Sequence, residues 1–535
     1  MSNKPVSCAK ELVRKKRLYH LRKVLQIFTL ILFLYLLVGT RKEITTFLPH
    51  DLFFRLDPLL GITSILASRE LILSMILGIF TVVLTIFAGR AWCGWLCPLG
   101  TILDWKPMFS IKISKVRIQS HWLMVKYIIL CIIFFISFFG SLSLLILDPI
   151  TIFSRTVTNV LIPGFISLVT FIEFSLYQIE PFQSSIEQFD YMIRSTLFTD
   201  QPFFLPNLMI TFFFGLVLTL NLIRTRFWCR YLCPLGALLG IISKTSLFKH
   251  KLNQETCISC NQCETICPTE AIDSNNNFFA NSSECISCLD CIEICPTKSI
   301  TFQHEKKANL RSDYSLTRRQ LFKSIGSAFF GAVILFTIPI LYKKKNFFIR
   351  PPGSDEQELS NKCIRCGECA RVCPTGVIQP SYSLKHFEVL WTPILMTRLG
   401  YCDYSCTLCG EVCPTGAITK LSLERKQKTV IGIAHINEKK CIPWAQDIEC
   451  IVCEEMCPIP EKAIKLEKET LMNSLGEISD VLLPRVIPDL CIGCGICQYK
   501  CPVEGESAIR IYPDKTLKPR TIIGTYRKDH RHLAK

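Results

Sequence analysis

Six times along this 535-residue chain, four cysteines recur within a short window that closes on Cys-Pro. Cys257, Cys260, Cys263, Cys267 and Cys285, Cys288, Cys291, Cys295 follow C-x2-C-x2-C-x3-C-P, as do Cys363, Cys366, Cys369, Cys373 and Cys491, Cys494, Cys497, Cys501. Cys402, Cys406, Cys409, Cys413 and Cys441, Cys450, Cys453, Cys457 keep the last two spacings and the closing proline but stretch the first gap to three and eight residues, which implies an inserted loop. The segments around these runs hold little continuous apolar sequence, so whatever binds the thiols must supply much of their folding free energy.

C-x2-C-x2-C-x3-C-P is the run of bacterial two-cluster ferredoxins, in which three close thiolates hold one [4Fe-4S] cube and the fourth reaches the neighbouring cube. The expected sets are Cys257, Cys260, Cys263 with Cys295, and Cys285, Cys288, Cys291 with Cys267. For the later four runs a nested pairing is expected, outer with outer and stretched with stretched. Zinc is the plainer alternative, but it takes ligands in two pairs and does not explain a repeat with a crossed fourth cysteine. Six cubes on 24 thiolates also account for the formal net charge of +17, bringing it to about +5 and removing the case for a nucleic-acid partner.

Mean hydropathy of +0.33 is high for a water-soluble chain. Apolar runs of spanning length lie at 24–40, 71–89, 127–147 and 203–223, with a later one at 325–341. A weaker run, 160–172, contains Pro163 and Gly164 and reads as a re-entrant or interfacial segment rather than a spanning helix. Lys plus Arg number eight in 1–23, four in 41–70, six in 90–126, two in 148–202 and six in 224–251. The positive-inside rule then sets the N-terminus, the 90–126 loop and the chain after Ile223 on the cytoplasmic face. Two near-copies occupy that face, Trp92-Cys93-Gly-Trp-Leu-Cys97-Pro98 and Trp228-Cys229-Arg-Tyr-Leu-Cys233-Pro234. Their four thiols form either an extra metal site or a packed or redox-active set.

The expected architecture is an α-helical integral membrane domain joined to small α+β bacterial-type ferredoxin domains. Residues 1–250 form a four-helix membrane domain, 251–303 a two-cluster domain, 304–354 a linker with a fifth spanning segment at 325–341, 355–520 a four-cluster domain and 521–535 a basic tail. No C-x-x-C-H, no G-x-G-x-x-G after a strand and no P-loop lysine occurs, so no haem, flavin or phosphoryl-transfer motif is legible. What remains is electron movement. Ser315-Leu316-Thr317-Arg318-Arg319-Gln320-Leu321-Phe322-Lys323 looks like an internal twin-arginine export signal, a route suited to cargo that folds round its cubes before crossing. It sets the last four clusters outside; Lys343, Lys344 and Lys345 beyond the fifth run argue the other way.

Two resemblances cover nearly the whole chain. Residues 1–303, with four spanning runs, two C-x3-C-P strings and a ferredoxin pair, resemble the NapH (MauN-related) membrane ferredoxin family. Residues from about 315 to the end, with Thr317-Arg318-Arg319, Arg350-Pro351-Pro352-Gly353 and Cys363-Ile-Arg-Cys366-Gly-Glu-Cys369, resemble the NapG (MauM-related) family. In those families the two are separate partners of a quinol dehydrogenase feeding periplasmic nitrate reductase; here they stand in one polypeptide. The resemblance implies a membrane quinol donor, plausibly menaquinol, the membrane quinone pool as partner, and a periplasmic reductase or its cytochrome as acceptor. Lys126, Asp148 and Glu173 are the quinone-site candidates, because an ionisable group beside an apolar segment is costly without a function. A rival reading is a maturation factor that keeps a periplasmic metalloenzyme's metal reduced, as in membrane proteins serving nitrous-oxide reductase or copper-oxidase assembly.

Overall fold

A computed structural model describes residues 5–39, 48–104, 120–178, 204–274, 277–304, 348–383, 387–472 and 478–513, with a few isolated positions between. The twin-arginine string, the run at 325–341 with its lysines, and the basic tail lie outside the described residues.

The first half is a helix bundle built twice over. Helix α1 (Pro5–Val38) is followed by the short α2 (Leu52–Arg55) and by α3 (Pro58–Ser68), then α4 (Gly78–Ala88) and α5 (Pro98–Leu103). The second copy runs α6 (Val125–Phe138), α7 (Pro149–Thr156), α8 (Ile162–Tyr177), α9 (Asn207–Ile223) and α10 (Pro234–Ile242). Chemistry at the helix starts marks the repeat. Asp57 and Asp148 each cap a proline-led helix, Asp57 Oδ1 accepting from Leu59 N at 2.8 Å and Asp148 Oδ2 from Ile150 N and Thr151 N at 3.0 Å. Ahead of α5 and α10 the Trp-Cys strings wind into single π-turns, closed by Cys97 N–H to the Trp92 carbonyl at 3.0 Å and Cys233 N–H to that of Trp228 at 2.9 Å.

Among the described residues two helices are long and apolar enough to cross a membrane, Tyr19–Val38 and Pro149–Tyr177, and the other apolar helices of the bundle are shorter. The second of these corrects the re-entrant reading of 160–172. Pro163 falls just inside the start of α8, and the π-turn Val157–Leu161 before it absorbs the missing donor, so the helix continues from α7. The segment that does turn back lies just upstream: Leu142 and Ser154 both touch the second module, so the chain between them dips to a tip at Asp148-Pro149 and returns.

Two ferredoxin-like modules grip opposite ends of the bundle. The first is closed by antiparallel β1 (Phe248–Leu252) and β2 (Ile300–His304). In the second, β3 (Ile378–Pro380) pairs with β4 (Pro393–Leu395), β5 (Ile433–Ile436) with the last strand β8 (Ile509–Tyr512), and the long hairpin β6 (Ile464–Met472) with β7 (Ile478–Val486), all antiparallel. Arg22 of α1 donates to the carbonyl of Cys288 at 2.9 Å, and Val38, at the other end of the same helix, accepts from Arg371 at 3.1 Å. Sixteen residues of α-helix separate those contacts by about 24 Å. One apolar core runs through, from Ile286 and Cys288 past Trp92, Leu235 and Phe153 to Ile364 and Cys366.

Candidate iron-sulfur sites

Each cysteine run folds round its own centre by the same local device. In the four evenly spaced runs, the second residue after the first cysteine and the first after the second cysteine take positive φ: Ser259 and Asn261, Ser287 and Leu289, Arg365 and Gly367, Gly493 and Gly495. These left-handed residues curl the loop so that its three thiols face inward, and a one-turn helix follows. The Cys-Pro that ends the run leaves that helix extended, with Cys267, Cys295 and Cys373 at ψ near 113°. After four of these prolines stands a threonine whose hydroxyl lies 3.5–4.0 Å from the preceding sulfur. Backbone N–H groups of Ala271 and Ile418 donate to Cys267 Sγ and Cys413 Sγ at 3.2 and 3.4 Å. Hydrogen bonds of this kind favour thiolate over thiol.

The crossed fourth cysteine appears as a shared cavity wall. Cys257, Cys260, Cys263 and Cys295 line one cavity of about 320 Å³, and Cys267, Cys285, Cys288 and Cys291 line its neighbour of about 330 Å³, the two sets expected from spacing. In the second module Cys363, Cys366 and Cys369 share a cavity of about 470 Å³ with Cys413. Cys441, Cys450 and Cys453 share one of about 380 Å³ with Cys501, and Cys491, Cys494 and Cys497 one of about 310 Å³ with Cys457. Cys402, Cys406 and Cys409 lie within electrostatic reach of Cys373. The nested pairing is therefore wrong: consecutive runs trade their fourth cysteines. Each pair joins one evenly spaced run to one with a stretched first gap.

These donor sets suit a cube better than a point ion. Tetrahedral zinc needs sulfurs about 2.3 Å from one centre, and among the described residues no group of three or more His, Cys, Asp or Glu side chains converges so as to hold a single ion. Burial pushes the Cys285, Cys402 and Cys441 thiols up to about 11, so binding them as thiolates must release protons that iron has to displace.

The cavities also form a line. Cys369 of the set nearest the bundle lies in electrostatic reach of Cys409, Cys402 donates its N–H to the Cys494 carbonyl at 2.8 Å, and Cys497 is in reach of Cys453. The set with Cys441 stands at the far end.

Between the two modules sit the remaining candidates. Cys93, Cys97, Cys229 and Cys233 are all buried, and Cys97 and Cys233 each lie within electrostatic reach of both Cys93 and Cys229 at the two π-turns. Each turn is gripped from the other half: Arg226 donates to the Cys93 carbonyl at 2.7 Å and Arg90 to that of Cys229 at 3.4 Å. Arg226 also makes a bidentate pair with Asp104 at 2.6 and 2.7 Å. Neither arginine was singled out from sequence, although each stands two residues before the repeated tryptophan. Lys126 is fully buried and donates to both oxygens of Glu284 at 2.6 and 2.7 Å, which anchors the first module. Glu173 lies half-buried on α8 among exposed apolar neighbours. Asp148 is fully buried with the Asp57 carboxyl within hydrogen-bonding reach, a neighbour that sequence reasoning missed although it repeats the same Asp-Pro helix start.

Comparison with known proteins agrees with this geometry. Models described as 4Fe-4S dicluster domains match residues 249–296, 284–378 and 362–417, and models described as 4Fe-4S binding domains match 484–505 and, as two stretches, 71–115 and 206–254. The 284–378 match joins runs that line separate cavities at opposite ends of the bundle. The ferredoxin-type protein MauM of Methylorubrum extorquens, named for methylamine utilization, is 33% identical over 167 residues, 31% of this chain and 72% of that protein. The chain belongs to the MauM/NapG ferredoxin-type family. MauM of Methylophilus methylotrophus is 31% identical over 201 residues, 36% of this chain and 84% of its own length. The ferredoxin-type protein NapG of Haemophilus influenzae is 32% identical over 172 residues, 31% of this chain and 58% of its own length. No solved structure matches. Members of this family are iron-sulfur electron-transfer proteins by their cluster motifs, and the cysteine cavities described above give this chain the same chemistry.

Proposed function

We propose that this chain is a membrane-bound quinol dehydrogenase component in which a NapH-like membrane half and a NapG-like polyferredoxin half are fused. The 24 cysteines of the six runs would hold six [4Fe-4S] clusters, which would supply one-electron transfer between a quinol, menaquinol in this reading, and a periplasmic reductase or its cytochrome. The observation that carries this reading is the pair of contacts at the two ends of α1, Arg22 with Cys288 and Arg371 with Val38. They put one cysteine cavity at each end of a bundle about 24 Å deep, close to the ~30 Å of a bilayer's hydrocarbon core. The outer faces of that bundle support a lipid setting: Leu208 and Phe212, one turn apart on α9, are 83% and 75% exposed, and Leu73 in the turn before α4 is 76% exposed.

In this reading the first module faces the cytoplasm and the second the periplasm. The bound clusters supply one-electron redox chemistry; the chain's own residues hold them at fixed spacing, exclude water with apolar walls and supply N–H groups to sulfur. The test is menaquinol added to proteoliposomes containing the full chain, with cluster reduction followed by EPR. Reduction by quinol that a periplasmic acceptor reverses supports the relay; reduction only by a cytoplasmic donor favours the maturation reading instead.

A further inference from the structure

Two carboxyl groups meet in the interior of the bundle without a basic residue hydrogen-bonded to either. Asp57 and Asp148 are both 0% exposed, and their carboxyl groups stand within hydrogen-bonding reach of each other. One oxygen of each is committed to its helix cap, Asp57 Oδ1 to α3 and Asp148 Oδ2 to α7. The others, Asp57 Oδ2 and Asp148 Oδ1, are buried and receive no N–H or O–H donor from another residue. Two carboxylates cannot stand at hydrogen-bond distance in an apolar interior with both ionised. One proton must lie between the free oxygens, and the helix N-termini on either side favour the single negative charge that remains.

The surroundings fix what this charge responds to. Along α7 from Asp148, Arg155 lies within electrostatic reach of both Asp148 and the Cys366 thiol, stacks on Trp391 at 3.9 Å and donates to the Arg365 and Ile146 carbonyls. Its guanidinium stays charged at every working pH and so links the two as a fixed cation. Cys233, ahead of α10, is also within reach of Asp148. The other nearby charges are paired: Asp51 with Arg55 on α2, Asp104 with Arg22 and Arg226, Lys126 with Glu284, and Glu368, which lies beside Cys366 and accepts from Ser154 of α7, with Arg371. A cap alone needs one acceptor oxygen per helix, which asparagine would supply; the second pair of oxygens is surplus to that role.

We propose that Asp57 and Asp148 form a proton-binding site that holds one proton at rest and takes a second when the cluster held by Cys363, Cys366, Cys369 and Cys413 gains an electron. The inference rests on the relay reading for its cluster, but not on the identity of the donor. The step balances: one electron enters the cube, one proton enters the pair, and the net charge beside Arg155 is unchanged. Oxidation of the cube returns both.

The test is a redox titration of the membrane-embedded full chain with dithionite and mediators, read by infrared difference spectroscopy and by EPR at several pH values. Reduction should alter a protonated-carboxyl C=O band that shifts in deuterium oxide and is absent from Asp57→Asn and Asp148→Asn, both of which keep the helix cap. One cluster should become harder to reduce by up to tenfold per pH unit, about 59 mV for a one-electron couple, and lose that dependence in the variants. A wild-type spectrum with no carboxyl response to reduction overturns the proposal, and so does an identical pH dependence in the variants. If a variant does not accumulate, the wild-type spectrum alone decides. Quinol failing to reduce the chain would sink the donor reading above while leaving this one standing.

Discussion

Arg226 donates to the backbone carbonyl of Cys93 at 2.7 Å, reaching from the second π-turn of the bundle into the first, while Arg90 reciprocates towards Cys229. Arg226 is fully buried and its remaining donors are saturated by Asp104, itself shared with Arg22 and Gln26. Removing the guanidinium by Arg226→Ala leaves Asp104 with Arg22 and Gln26 only, and the Cys93 and Gly100 carbonyls short of a donor. We expect a loss of about 3–5 kcal/mol, visible as a lowered unfolding midpoint in detergent. Arg226→Lys, which cannot bridge bidentately, should recover only part of it.

Glu284 accepts from Lys126 and pairs with Arg90 at 3.3 Å, so one carboxylate holds the first module against two buried cations. Glu284→Ala should cost about 3–5 kcal/mol and loosen that module. Protease cleavage within residues 251–303 should rise sharply while the second module keeps its wild-type pattern; unchanged cleavage would contradict the anchoring role.

Crossed ligation makes a specific bookkeeping claim about iron. Cys413→Ser should disable the cube built by Cys363, Cys366 and Cys369, and Cys501→Ser the one built by Cys441, Cys450 and Cys453. Each variant should lose up to about four iron atoms per chain. Because the cavities stand in line, Cys402→Ser should in addition leave the clusters beyond it slow to reduce from the bundle side, whereas Cys441→Ser should spare all those before it. Rapid-freeze EPR separates the two patterns.

Gly367 has φ of +89°, and a Cβ built there would lie 2.8 Å from the Asn159 amide and the Thr158 hydroxyl on the π-turn between α7 and α8. Gly367→Ala therefore meets backbone strain and a clash at the seam between bundle and second module. The expected cost is about 1–3 kcal/mol, measured as faster hydrogen exchange at residues 356–372 and 149–161.

Iron removal should unfold the modules before the bundle. Their strands are short, and much of their buried area is cysteine and the residues lining the cavities. With a strong chelator, strand and turn signals in circular dichroism should collapse while the helical signal of α1, α4, α6 and α9 persists.

Much of the ligand chemistry was legible because spacing along a chain is itself geometry: C-x2-C-x2-C turns the backbone tightly enough to face three thiols inward, and Cys-Pro forces the fourth outward. The pairing of the later runs was not, because spacing says which cysteine leaves a run but not which neighbour receives it. The bundle's polar interior was read least well. Asp148 stood out beside an apolar run, yet Asp57 sat in a stretch that hydropathy treats as a loop, and only the fold reveals that both tips meet. Lys126 stood out for the same reason as Asp148, but its charge goes to Glu284, 158 residues away. The run at 160–172 was misread because Pro163 signals a break from sequence, whereas the π-turn before it lets the helix carry on.

The continuous apolar core that joins Cys288 at one end to Cys366 at the other has a kinetic meaning. Carriers that meet by diffusion deliver charge at a rate set by how often they collide. Here donor and acceptor centres are welded into a single solid, so the interval between them is built in with the backbone, and diluting the protein in its membrane should leave internal transfer as fast as before.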